Sequence, residues 1–441
     1  SALRRQRPNT SIIFLSMHVD DERLFAAIRA GAAGFLTKDA DPSAILDAVN
    51  AVLRGENLLQ QAVLSNPRLA QRVLELGELG VDVGVALPAQ PPVVAAATPA
   101  ATRAPALERD LGRVRVYRTA SGVPILVRRK ASAIVHLGVH ILGGASEEPV
   151  DYAGMTSLMA RTAIKGTLRR TAAQLAEEAE TLGGSIAPSA GAESFGWSFS
   201  VPVQHTDAAM ALLAEVVTQA SFSDDAIATE KIIAIADLAL LRDDMYRYPM
   251  RLLAQAAFAG HPYGVPANGL EDSIARVEAD RVRTWHQHRV FEGHAVIAIV
   301  GDVEPDDAAA LAARRFNALA FGDAAPLEAP TWPDRPTIVA ESRQKKQTAL
   351  ALAFPSATRR DDARYAASLI SGVASGLGGR FFDELRDRRS LAYTVHAHSA
   401  ERRLAGMFIA YIATSPDKEQ EARDGLLREF AKLRDAGVTR L

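Results

Sequence analysis

Residues 143–167 read GGASEEPVDYAGMTSLMARTAIKGT. Two glycines open an acidic turn, a helical run follows, and Lys165-Gly166-Thr167 closes it. Just before it, AIVHLGVHILGG from Ala133 is β-rich. Beyond it, FGWSFSVPVQHTDAAMALLAEVVTQASFSDD from Phe195 runs strand, polar turn, amphipathic helix and break. The same order recurs in MFIAYIATSPDKEQEARDGLLREFAKLRDAGV from Met407. An order of elements met twice in one chain marks a repeated supersecondary unit. The expectation is therefore an α+β fold of two tandem copies of an antiparallel sheet with helices. The first copy spans 113–332; the second, 333–441, stops about halfway through its pattern. PTWPDRP at 330–336, with its prolines, marks the joint.

Toward the N-terminus the pattern changes twice. Residues 81–112 are dominated by Ala, Pro, Val and Thr, a composition that favours solvated, extended backbone and reads as a linker. Residues 12–55 alternate strand, helix, strand, helix: IIFLSMH, DDERLFAAIRAG ending at Gly31, AGFLTKD, and PSAILDAVNAVLRG ending at Gly55. An α/β fragment is expected within 1–80, with Leu36 and Ile45 in its core.

The composition narrows the function classes. The chain has 441 residues, 48% hydrophobic and 23% charged, enough to bury several cores. Its formal charge is −2, from 50 basic and 52 acidic residues, with no long block of one sign to track a phosphate backbone, so nucleic acid is not an expected partner. There are no cysteines, which removes disulfides, thiolate metal sites and cysteine nucleophiles together. No apolar run reaches the roughly 20 residues of a membrane span. The opening residues lead into a strand-like IIFL instead of a signal core, and the first is Ser1, so the compartment is left open between the cytoplasm and export by an upstream leader.

The stretch at 143–167 resembles the zinc-motif region of the pitrilysin/insulinase family of peptidases. That family carries H-x-x-E-H between such a turn and such a K-G-T ending. Two histidines four apart on one helical face grip Zn²⁺, and the glutamate activates the metal-bound water. Here the flanks Gly143-Gly144, Ala153-Gly154 and Lys165-Gly166-Thr167 match, but Ser157 stands for the first histidine, Ala160 for the base and Arg161 for the second histidine. The family's third ligand, a glutamate on a later helix, falls at Asp237 within FSDDAIATEKIIAIADLALLRDD. Asp237 beside an arginine reads as an ion pair, so no metal or other cofactor is expected in this chain. GHPYGVPANGLEDSI from Gly260, the Trp285-His286 helix and AVIAIVGDVEP ending at Pro305 extend the resemblance, which covers nearly all of 113–441.

The second repeat keeps more. GGRFFDELRDRRSLAYTV from Gly378 is similar to the family segment in which an arginine and a tyrosine seven residues later reach the other half's zinc site; here they are Arg386 and Tyr393. A guanidinium and a phenol can both donate hydrogen bonds to a substrate carbonyl and to the oxyanion formed as water attacks. The resemblance thus implies a non-catalytic subunit, inactive alone, that supplies Arg386 and Tyr393 to a zinc-bearing homologous partner acting on peptides. The runner-up is an inactive scaffold or peptide-binding protein of the same fold. In active halves peptide adds to an edge strand at about Ile186–Ala190, where Pro188 lacks the N–H such pairing uses. SIIFLSMHVDDERLFAAIRAGAAGFLTKDADPSAIL from Ser11 resembles the C-terminal half of a response-regulator receiver, with Ser16 at the switch hydroxyl and Lys38 at the phosphate-pairing lysine. The half bearing the phospho-accepting aspartate is absent from this stretch, so phosphotransfer is not expected of it.

Three weaker signals have plainer readings. His136 and His140 sit four apart on a strand, about 13 Å at ~3.3 Å per residue, too far to share one ion. His286 and His288 diverge on a helix and read as solvated surface residues. The glycines of SGVASGLGGRF lack the G-K-[ST] of a phosphate loop and read as a flexible segment.

Overall fold

The computed structural model describes residues 13–16 and 34–37, the single positions Ala32, Ala48 and Val52, and residues 104–322, 326–375, 378–392 and 394–437. The chain divides into two compact units, residues 1–96 and 97–441. In the first unit β1 (Ile13–Ser16) pairs in parallel with β2 (Gly34–Thr37), Ser16 opposite Thr37. Leu36 is half-buried there. Ile45, Lys38 and the side chain of Ser16 lie outside the described residues.

The second unit holds two sheets. The larger is built from β3 (Ala106–Asp110), β4 (Arg115–Arg118), β5 (Pro124–Arg129), β6 (Ile134–Leu142), β7 (Ile186–Ala190), β8 (Ser194–Pro202) and β9 (His294–Gly301), in the order β3-β4-β5-β9-β6-β8-β7. Strand β3 falls within the stretch whose composition reads as a linker, so the sheet begins at Ala106 and not beyond 112. All its residues are exposed, and an edge strand held by its backbone ladder and by surface ion pairs of Glu108 with Arg118 and Asp110 with Arg115 leaves no core signal in composition. The pairs are antiparallel except β5 with β9, which run parallel with Ile125 opposite Ile297. That exception to the antiparallel expectation arises because the whole chain between β5 and β9 serves as the crossover.

One face of this sheet is covered by helices. Val135, Leu137, Val139 and Ile141 of β6 and Phe195, Trp197, Phe199 and Val201 of β8 alternate inward. Onto them pack α1 (Met155–Ala163), α2 (Ala172–Thr181) and α3 (Thr206–Gln219), while α4 (Asp224–Asp243), α5 (Arg247–Ala257) and the short α6 (Glu271–Arg276) lie further out. Helices α7 (Ala279–His286) and α8 (Pro305–Arg315) complete the layer, and the buried alanines 308, 309, 312 and 313 let α8 lie close to the strands. The smaller sheet, in the order β10-β12-β11, comprises β10 (Thr348–Ser356), β11 (Thr394–Glu401) and β12 (Gly406–Thr414). Helices α9 (Ala363–Ser375) and α10 (Glu419–Ala436) cover one face over Val395, Ala397, Ala410 and Ile412. On the other face Met407 and Ile409 meet Ala257, Phe258, Tyr263 and Trp332 in a core shared by both halves. No helix among the described residues is long and apolar enough to cross a membrane.

One expectation fails at α7. His288 is exposed, but His286 is 6% exposed, bonds the Val217 carbonyl at 2.9 Å through Nε2, and packs between the rings of Phe222 and Phe291. Burial pushes its pKa down to about 4, although the bond to Val217 opposes the shift. With about 6.5 in the unfolded chain, the neutral ring's contribution is fully present above pH ~6.5 and is lost as pH falls toward 4. Between pH 6.5 and 5 this one residue costs about 2 kcal/mol. Urea melts at those two pH values should show a smaller loss for His286→Gln than for the wild type; equal losses would refute the assignment.

Candidate functional site

Helix α1 is fixed at both ends by contacts that its sequence provides. At the N-terminus Glu148 accepts hydrogen bonds from the backbone N–H of Gly154 and of Thr156, each at 2.6 Å, satisfying donors that a helix leaves unpaired. Burial raises the Glu148 pKa, and the hydrogen bonds from Thr156 and Gly154 pull the other way. Gly154 has φ +92°, and a Cβ there would lie 2.7 Å from the Gly269 Cα. Only glycine lets the α1 entry meet the 268–269 loop so closely. Near the other end the Trp197 indole donates to the Ala160 carbonyl at 2.9 Å, one of the last four carbonyls of the helix.

Arg161 then reaches across to α4. Its Nε donates to Glu230 Oε2 at 3.0 Å and its Nη1 to Asp237 Oδ2 at 2.9 Å. Lys165 Nζ stands 3.3 Å from Glu230 Oε1. The Glu230 side chain is 4% exposed and that of Asp237 54% exposed. Beside them a cavity of about 320 Å³ is lined by Ser157, Arg161, Asp237, Leu240, Arg247 and Asn268, among others. The fold therefore brings Ser157, Arg161 and Asp237 together. Ala160 is buried in the core at 1% exposure and does not line the cavity.

Glu230 escaped the sequence reading. The available signal was its spacing: it lies seven residues before Asp237, two helical turns, and so on the same face of α4. His136 and His140 both lie on β6, where His136 Nδ1 bonds Ser200 Oγ at 2.7 Å and burial lowers the His140 pKa. In the second half Arg386 sits in a π-helical turn, Phe382–Arg388, with its guanidinium 4.1 Å from the centre of the Phe382 ring. Ser390 closes that turn at φ +51°, donating its N–H to the Arg386 carbonyl, while the Leu391 N–H bonds Leu385 O. This left-handed cap on a residue other than glycine fixes the backbone that follows Arg386. Arg386 is not among the residues lining the cavity, and Tyr393 lies outside the described residues.

Comparison with known proteins places this architecture. A family model described as Insulinase (Peptidase family M16) matches residues 125–269, and one described as Peptidase M16 inactive domain matches 276–440. The chain belongs to the pitrilysin/insulinase family. It is 22% identical over 329 residues to an uncharacterized zinc protease of Bacillus subtilis, covering 74% of this chain and 80% of that one. A similar protease of Mycobacterium leprae is 25% identical over 316 residues, 70% of each chain. Among solved structures, a peptidase M16 inactive domain from Pseudomonas fluorescens superimposes with a TM-score of 0.68 at 25% identity, over 74% of this chain and 80% of that one.

The family implies zinc, and the side chains at the corresponding place do not suit it. They offer a serine hydroxyl and two carboxylates, both already engaged by cations, with no histidine beside them. Among the described residues, no group of three or more His, Asp or Glu is placed to share an ion. A structural or catalytic zinc needs three or four such donors. Elemental analysis of the purified chain should therefore give zinc at background level. About one zinc per chain, lost on Asp237→Ala, would overturn this assignment.

Proposed function

We propose that the chain is a non-catalytic subunit that completes the active site of a homologous, zinc-bearing peptidase partner by supplying Arg386 and Tyr393 across a shared peptide chamber. The observation that carries this reading is a contrast between the halves. In the first half the groups needed for hydrolysis are replaced by Ser157, Ala160 and Arg161. In the second half the segment around Arg386 keeps the residues of its motif and is held by a capped turn whose Leu391 is buried in the second core. A scaffold has no chemical need for an arginine so fixed five residues before that anchor and a tyrosine two residues beyond it. In this reading Arg386 and Tyr393 donate hydrogen bonds to the carbonyl oxygen of a bound peptide and to the oxyanion that develops on it. The partner supplies the metal, the base and the attacking water.

The edge position of β7, with Pro188 within it, also favours this division of labour, because the missing N–H weakens productive pairing of a peptide with this half. The domain limits 113–332 and 333–441 belong to the same proposal, with the sheet of the first half starting at Ala106. For residues 1–80 the proposal is a receiver-type fragment without phosphotransfer, supported by the parallel pairing of β1 with β2.

The test is reconstitution with a homologue that carries H-x-x-E-H. Arg386→Ala and Tyr393→Phe should each lower turnover about 10²-fold, the typical cost of losing one oxyanion donor, while the complex still forms. Weaker peptide binding with turnover unchanged at saturation would favour the scaffold or peptide-binding alternative. Full cleavage by this chain alone, indifferent to both substitutions, would rule the proposal out.

A further inference from the structure

We propose that Arg161 is a tethered cation that has taken over the metal's place, balancing the charge of Glu230 and Asp237 and pinning α1 to α4 in a way that refuses a divalent ion. The inference does not depend on the proposed partner. It starts from a charge count. Glu230 and Asp237 bring two negative charges to one face of α4, and Arg161 and Lys165 bring two positive charges, from α1 and from two residues past its end. The four groups are neutral together. A divalent cation added between them would leave an uncompensated double charge in a partly buried site, where such a charge is costly.

The geometry shows why a guanidinium can do this. Its nitrogens lie in a rigid planar fork, so one side chain meets two carboxylates at once, Glu230 through Nε and Asp237 through Nη1. A lysine at 161 would offer one compact ammonium and could not span both. Arg161 also lies in the last turn of α1, where the helix dipole favours a positive charge. Glu230 is what makes the pair obligatory. An exposed carboxylate would find water, but this one is 3% exposed, and both of its oxygens are engaged by cations from α1 and Lys165. Among the described residues no other ion pair joins these two helices, and they are thus held by the contact that, in an H-x-x-E-H half, a metal would make.

Thermal melting of the full chain and of Arg161→Met, Glu230→Gln, the double variant and Arg161→His tests this. Each of the two single variants should lower Tm by on the order of 10 °C, and the double should lose clearly less than their sum, because Arg161→Met leaves the buried Glu230 carboxylate with Lys165 alone whereas the double variant leaves no buried carboxylate to neutralise. Arg161→His leaves an imidazole beside two carboxylates, so zinc should raise its Tm by several degrees and a chelator should reverse the gain, with the wild type unmoved by either. If Arg161→Met does not fold, a double variant that folds supports the proposal, and one that does not fold overturns it. Single-variant losses that simply add, a wild type that responds to zinc as Arg161→His does, or an Arg161→His variant indifferent to zinc, would each overturn it as well.

Discussion

Helix α1 is held between two buried carboxylates, and much of the first half is arranged around that arrangement. Glu148 ties down the N-terminal backbone of the helix, and Glu230 binds its C-terminal cations. Neither carboxylate could be buried without these partners, since an unpaired charge in such surroundings costs several kcal/mol. Once α1 is fixed, Trp197 can bond its Ala160 carbonyl from β8, and Trp285 can bond Thr156 Oγ1 at 3.0 Å from α7. A large indole on each side then closes the core between helix and sheet. The scaffold that presents a metal motif in the family is therefore intact here without the motif's donors.

The two halves meet through a separate set of contacts. Glu193, in the turn between β7 and β8, accepts the Tyr263 hydroxyl and, at 2.7 Å, the backbone N–H of Arg403 in the turn between β11 and β12. Arg359 stands 3.2 Å from its other oxygen. Burial and the Glu193 carboxylate push the Tyr263 pKa up to about 12, so the phenol stays protonated and donating throughout the neutral range. Arg402 lies 4.6 Å from the centre of the Tyr263 ring and donates to the Tyr263 carbonyl at 2.8 Å. The outermost hairpin of the first sheet is thus joined directly to the β11–β12 turn of the second sheet.

The strand periodicity of the first sheet could be read directly. Inward alternation along 134–142 and 194–202 follows from side chains that must face helices on one side only, and the glycine at 154 is explained by one close approach. The Trp285-His286 helix was legible as a helix, but the burial of His286 was not. Its ring is placed by nearby Phe291 but also by Phe222 and by a carbonyl on α3, and nothing in its neighbours along the chain indicates those two distant partners.

What the sequence by itself determined was the set of chemical groups: no histidine pair, a serine, an alanine and an arginine where a metal motif would stand, and an arginine–tyrosine segment kept in the second repeat. Such identities need no coordinates. What only the tertiary structure decided was which of these groups act on one another. Arg161 and Asp237 are 76 residues apart and Arg161 and Glu230 are 69 apart. Their pairing depends on the packing of α1 against α4, a distance the chain does not encode locally. The parallel pairing of β5 with β9 and the inclusion of residues 106–110 in the sheet were settled the same way. Backbone ladders between distant segments are made by the fold as a whole, and side-chain pattern records them only where one face is buried.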